Sequence, residues 1–315
     1  MKKIILVSLL ITFIFTACPE DPDNNDNNVN NNNNGNNNGN NNGNNGGGGN
    51  ALIEMIHVLG GSFQMGQNGD GYSGGNESPI HTVTLSDFYI GKYEVTQEEY
   101  RIVMEINPSR FKTDAAEGET QNRRPVEQVS WYDALVFCNK LSILEGLTPA
   151  YSIDGKIDPD EWGPIPTKDD DTWNAVEMAA DSNGYRLPTE AQWEYAAKGG
   201  SSASNPYKIY SGSDTVGNVA WYKTNSGNKT HEVGKKAANE LGIYDMSGNV
   251  LEWCWDWNGT YPSEAQTDPL GASSGTMRAY RGGVWFDTIE YLPSVERNHG
   301  SPFMREGVGF RLVRP

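Results

Sequence analysis

The sequence predicts an α+β domain with few helices and long irregular stretches, and three observations carry that expectation. Polar capping signatures mark helix starts at Thr96, Ser130 and Thr189. The stretch from Thr82 to Tyr93 alternates and is β-branched or aromatic, as strands are. Between and after these elements the chain is broken by Gly, Asn and Pro too often for long helices.

From the N-terminus, Lys2 and Lys3 precede an apolar run from Ile4 to Phe15. That is the layout of an export signal over 1–17, and it is shorter than the roughly 20 residues a membrane-spanning helix needs. Phe15-Thr16-Ala17-Cys18 resembles the lipobox of bacterial lipoproteins, with Phe15 where Leu is usual. The resemblance implies lipidation of Cys18 and a protein anchored to a bacterial membrane, at the outer membrane and cell surface. Residues 18–50 are Asn and Gly with almost no apolar side chains, so they cannot offset their chain entropy by burial. They form a tether with a root-mean-square span of ~30 Å.

Residues 51–315 are the globular part. They hold all nine Trp and a net charge near −15. An acidic surface of this kind excludes nucleic acid as a partner, because phosphate contacts need a basic face. Thr82 to Tyr93 is expected to be a strand pair turning near Asp87. Thr96 with Glu99 opens a helix through Met104; Ser130 with Asp133 opens another, with Ala134, Leu135, Phe137, Cys138 and Leu141 at helical spacing. Thr189 with Gln192 opens a third, running to Lys198 and stopped by Gly199-Gly200. Asp169-Asp170-Asp171 lacks EF-hand spacing and reads as a solvated loop. If Cys18 is lipidated, Cys138 and Cys254 remain, either as one disulfide or as two buried thiols. No HExxH, CxxC, GxSxG or Walker pattern is present.

An ordered series of motifs then carries a resemblance. Gly60-Gly61-Ser62-Phe63-Gln64-Met65-Gly66, Glu77-Ser78-Pro79-Ile80-His81-Thr82-Val83 and Arg124-Pro125-Val126-Glu127-Gln128-Val129-Ser130-Trp131 come first. Tyr185 to Ala197, Tyr244-Asp245-Met246-Ser247-Gly248-Asn249-Val250-Leu251-Glu252-Trp253, Arg281-Gly282-Gly283 and Gly309-Phe310-Arg311 follow. In this order, over about 52–315, they resemble the formylglycine-generating enzyme (sulfatase-modifying factor) family. The resemblance implies a single domain with the C-type lectin fold of that family, low in regular secondary structure. Catalytic members bind copper through two cysteines shortly after the Arg-Gly-Gly motif, and the matching places here hold Asp287 and Leu292. Neither supplies a thiolate, so the expectation is a protein without catalysis. The alternative is a divergent formylglycine-generating-type oxidase or another metal enzyme of the same fold.

The family also holds Ca²⁺ around its Gly-Asn-x-x-Glu-Trp motif. Carried over, this implies one structural Ca²⁺ on Asp245, the backbone of Gly248 and Val250, and Glu252, with no other cofactor required. A second family site begins at Asn218-Val219 but lacks a clear later Asp.

Between Gly283 and Gly309 the chain mixes bulky apolar, aromatic and charged residues without helical or strand period. Local inconsistency in an otherwise regular chain points to a functional surface. Lipobox, tether and this segment together resemble surface lipoproteins of the fold that a retroelement diversifies by mutating template adenines. That resemblance implies a variable region at 280–308 which binds a protein or other macromolecular ligand. Phe286, Asp287, Thr288, Tyr291, Leu292, His299, Gly300, Ser301 and Phe303 can all arise from Asn codons in this way; Met304 and Glu306 cannot. The expected ligand-binding set is Val284, Phe286, Asp287, Thr288, Tyr291, Leu292, His299, Ser301, Phe303, Met304 and Glu306. Phe286, Tyr291, Phe303 and Met304 are its apolar anchors, and Asp287, His299 and Glu306 give polar selectivity. Trp285, Arg281 and Arg311 are read as scaffold. A third reading is a purely structural envelope lipoprotein.

Overall fold

The computed structural model describes residues 51–68, 76–203 and 207–315, all within one compact unit, Asn50–Pro315. The leader, Cys18 and the tether lie outside the described residues. Helices α1 (Gln97–Met104), α2 (Trp131–Leu144), α3 (Asp171–Asn174), α4 (Glu190–Ala197) and α5 (Val216–Val219) are joined by long irregular connections. The three longest begin where the caps place them. Thr96, Ser130 and Thr189 each accept a hydrogen bond from the backbone N–H three residues on, and Glu99, Asp133 and Gln192 accept one back from the cap. The Asp169-Asp170-Asp171 stretch is not a plain loop: Asp170 caps the single turn of α3.

Among the described residues twelve short strands follow in order: β1 (Met55–Val58), β2 (Gly61–Met65), β3 (His81–Leu85), β4 (Phe88–Gly91), β5 (Tyr151–Ser152), β6 (Glu177–Met178), β7 (Leu251–Trp257), β8 (Gln266–Thr267), β9 (Arg278–Arg281), β10 (Asn298–Gly300), β11 (Val308–Gly309) and β12 (Val313–Arg314). They form sheets of order β1-β4-β12, β10-β9-β7-β11, β2-β3-β8 and β5-β6. One expectation is corrected. Strands appear on both sides of Asp87, but β3 and β4 do not pair; β3 pairs with β2 and β8, β4 with β1 and β12. The turn is held open because Ser86 donates through its N–H and hydroxyl to Asp268, while Asp87 accepts the N–H of Gly60. The chain thus passes from one sheet to the next instead of folding back.

Among the described residues, two large apolar clusters make most of the core. One surrounds α2, which is buried on almost every side and packs Trp131, Leu135, Phe137 and Leu141 against Trp253 and Phe310. The other lies between α4 and strands β2 to β4. Trp131 donates its indole N–H to the Cys254 carbonyl and Trp253 donates to that of Val129, which ties α2 to β7. Cys138 is in the first cluster and Cys254 in the second; both are free and buried, which decides between the two readings of these thiols.

Candidate functional site

The segment after β9 begins at Gly282 and Gly283, with φ of 97° and 75°. A Cβ on Gly283 would lie 2.6 Å from Leu292 Cδ2 and 2.7 Å from the Tyr291 carbonyl oxygen, so the loop closes on itself only with glycine there. Its path is fixed by buried charge. Arg281 donates to Glu190 (2.8 Å) and Glu194 (2.7 Å) of α4, and also to the carbonyls of Ser294 and Glu296 on the returning chain. Arg297 pairs with both oxygens of Glu190, at 2.8 and 2.7 Å. Further along, Arg305 pairs with Asp133 of α2. Arg281 is therefore scaffold, as expected, and Arg297 is scaffold with it.

From this frame the loop presents some of the expected residues and buries others. Phe286 is 41% exposed, Ile289 45% and Tyr291 39%, and Thr288, Glu290 and Glu306 are exposed beside them. Phe286 stacks edge-on against Trp285 (4.8 Å), which meets Phe111 in the same way (5.2 Å). A Cβ on Gly307 would lie 3.4 and 3.7 Å from atoms of the Phe286 ring, and exposed Glu306 precedes Gly307 in the chain. Two expected ligand contacts are corrected. Val284 (1% exposed) is buried, and Leu292 (0%) fills a third cluster with Tyr210, Val219 and Ala220. Neither can meet a ligand. A one-turn 3-10 helix, Ile289–Tyr291, turns Leu292 inward while its neighbours face out.

Phe303 and Met304 are half-buried and pack against the α2 cluster. Ser301 lies half-exposed, 3.6 Å from the sulfur of exposed Met277. His299 pairs with Ala279 across the β9–β10 ladder, whereas Asn298 pairs with Tyr280. Directly opposed residues share a face and neighbours alternate, so His299 points to the other side of β10 from Asn298. It does not join Asp287 as a polar selector.

Asp287 is held from three sides. Its Oδ2 accepts the Val284 N–H at 3.0 Å, its own N–H donates to the Val284 carbonyl, and its carbonyl accepts the Lys223 N–H. It lines a notch of about 10 Å³ with Leu251, Tyr280, Tyr291 and Asn298. Burial pushes its carboxyl up to about 6, and among the described residues it joins no ion pair. Ile289 and Met277 were missed by sequence reasoning. Met277 lies before the Arg-Gly-Gly motif, and nothing local marks Ile289 as the outward residue of its turn.

The calcium set implied by the family does not fit. Both oxygens of Glu252 are bound by Arg311, at 2.6 Å each, and Oε2 also accepts the Trp193 indole N–H at 2.7 Å. Asp245 accepts the Gly234 N–H through Oδ2, while its buried Oδ1 has no partner. The Val250 N–H and the Asn249 amide are taken by Glu94, an acid that no motif pointed to. Burial first, and then Asp245, push the Glu94 carboxyl well up; burial pushes Asp245 to about 6. Arg311 is thus the counter-ion of this acidic cluster, and the described residues contain no group of three or more His, Cys, Asp or Glu able to hold a metal.

A buried scaffold of charged pairs with an irregular exposed loop after Arg-Gly-Gly defines the class. Residues 48–315 match the sulfatase-modifying factor enzyme 1-like domain, and the chain belongs to this family. Among solved structures it is similar to Treponema denticola variable protein 1, with 42% identity and a TM-score of 0.75 over 83% of this chain and 95% of that one. It is 41% identical over 283 residues to the chaperone protein LppX of Paenibacillus barcinonensis, covering 83% of this chain and 89% of that protein. The formylglycine-generating enzyme of Thermomonospora curvata is more distant, at 28% over 264 residues, covering 73% and 81%. The fold is therefore that of the family, mixed helix and sheet in one domain.

Proposed function

We propose that this protein is a lipid-anchored surface protein that binds a polypeptide ligand through the exposed side of residues 280–308, without catalysis. The observation that carries the reading is the outward trio Phe286, Ile289 and Tyr291, set on a loop whose two ends are pinned by the buried ion pairs of Arg281 and Arg297. A rigid scaffold lets loop side chains change without loss of the fold, which suits diversification by a retroelement. Aromatic side chains with few rotatable bonds give contact area at low entropic cost.

Asp287 and Leu292 stand where catalytic relatives carry cysteines. Burial pushes the thiols of Cys138 and Cys254 far up, so they stay protonated, and they sit in separate clusters. Two relatives above 40% identity are named a variable protein and a chaperone, names that fit polypeptide binding. The leader and Cys18 supply the anchor, and the Asn/Gly tether holds the binding face off the membrane. None of the described helices is long and apolar enough to cross a membrane.

The test is selection of a random-peptide display library on the immobilised protein. Recovered peptides that no longer bind Phe286→Ala/Tyr291→Ala support the reading. Binding that ignores this double substitution sinks it, as does oxidation of a sulfatase-derived cysteine peptide by the protein. Sequencing codons 278–311 across clones of the source bacterium checks diversification: an invariant segment removes that part.

A further inference from the structure

Asp287 is a carboxylate in an unusual position. It is half-buried, holds one backbone N–H through Oδ2, and joins no ion pair among the described residues; Arg281 lines the same notch but is paired with Glu190 and Glu194. Three buried acids of the loop frame are matched by cations: Glu190 with Arg281 and Arg297, Glu194 with Lys198 and Arg281, Glu252 with Arg311. At Asp287 the guanidinium of the notch, Arg281, is already committed to Glu190 and Glu194, and no described cation closes a pair with the carboxylate. Around Asp287 the notch is lined by Tyr280, Tyr291 and Asn298 together with Arg281 and Glu296, and exposed Phe286 precedes it in the chain. The notch has room for about one water, so a planar or compact donor from outside can reach Asp287 only end-on, its stem lying over Tyr291. The exposed charges around it are Glu290 and Glu306, both acidic, and Lys223, whose N–H the Asp287 carbonyl accepts.

Resting on the proposed binding role, we propose that Asp287 is the specificity-determining group of the face: it receives the guanidinium or ammonium of an Arg or Lys side chain from the ligand, while Phe286, Ile289 and Tyr291 take an adjoining apolar residue. The ligand is thus a basic, amphipathic peptide segment. A cation arriving at the notch restores the pairing that desolvation otherwise penalises, and a like-charged or neutral polar group does not. Raised towards 6 by burial, the carboxyl is ionised at neutral pH and loses its charge in mild acid, so capture of a cation weakens as the pH falls below 6.

The experiment extends the peptide selection with the full chain and with Asp287→Asn, which keeps side-chain volume and an oxygen for the Val284 N–H. The expected result is that peptides recovered on the unmodified protein carry Arg or Lys beside an apolar residue, and that Asp287→Asn weakens them about tenfold or more. Replacing that Arg or Lys by norleucine should weaken binding equally, and the two changes together should cost no more than either alone. Peptides without a basic residue, or peptides indifferent to Asp287→Asn but lost with Phe286→Ala/Tyr291→Ala, overturn the inference and leave the binding face standing. Failure to recover any peptide sensitive to Phe286→Ala/Tyr291→Ala overturns both.

Discussion

Replacing Arg311 with Met tests the account of the acidic cluster. Arg311 is fully buried and donates to both oxygens of Glu252 and to the carbonyls of Gly91 and Tyr244. Methionine fills part of the volume but leaves Glu252 without a counter-ion beside Glu94 and Asp245, and strands two carbonyls. Removing one partner of a buried pair costs about 3–5 kcal/mol. For a unit of roughly 265 residues, the unfolding entropy of about 2.1 cal/mol/K per residue converts 4 kcal/mol into a fall in Tm of about 7 °C. Calorimetry at pH 7 should show this fall, and Arg311→Met/Glu252→Gln should recover part of it, because the stranded charge is gone. The same scans in EDTA and in excess CaCl₂ should leave the unmodified protein's Tm in place, since Glu252 is committed to Arg311. A fall of less than 2 °C for Arg311→Met, or a drop of several degrees on chelation alone, would refute the reasoning.

Other expectations follow from neighbouring observations. Asp245 is raised by burial to about 6, so between the unfolded value near 3.8 and 6 the folded state binds more protons than the unfolded one. Its contribution therefore falls as pH rises through that window, by about 3 kcal/mol at most. Asp245→Asn should flatten the pH dependence of Tm between 4 and 6 and stabilise the protein at pH 7; an unchanged profile would count against a buried free carboxyl. Gly283→Ala combines a positive φ with contacts of 2.6 and 2.7 Å from the new Cβ, and should cost about 2–4 kcal/mol in denaturant unfolding. Phe286→Ala/Tyr291→Ala removes half-exposed rings and should cost about 1 kcal/mol or less in the same measurement. A large loss there would place these rings in the core instead of on the exposed side of the loop.

Much of the frame is legible along the chain, because it depends on neighbours. A capping box is complete within four residues, so Thr96, Ser130 and Thr189 announce α1, α2 and α4 without help from the rest of the fold. The strands were harder: the alternation through Thr82 to Tyr93 is real, but which strand each half meets is set by Asp268, some 180 residues away.

The sequence by itself determined the family motifs, the helix starts and the place of the irregular segment between Arg281-Gly282-Gly283 and Gly309-Phe310-Arg311, each a property of adjacent residues. Only the tertiary structure decided which residues of that segment face outward. Val284 and Leu292 are as apolar as Phe286 and Ile289, and what separates them is the closure of Gly283 onto Leu292 and the waiting cluster of Tyr210, Val219 and Ala220. His299 left the face because of its register against Ala279. Glu252 became a structural anion because Arg311, 59 positions later, reaches both its oxygens. Burial, register and charge pairing are relations between distant residues, and no local pattern encodes them.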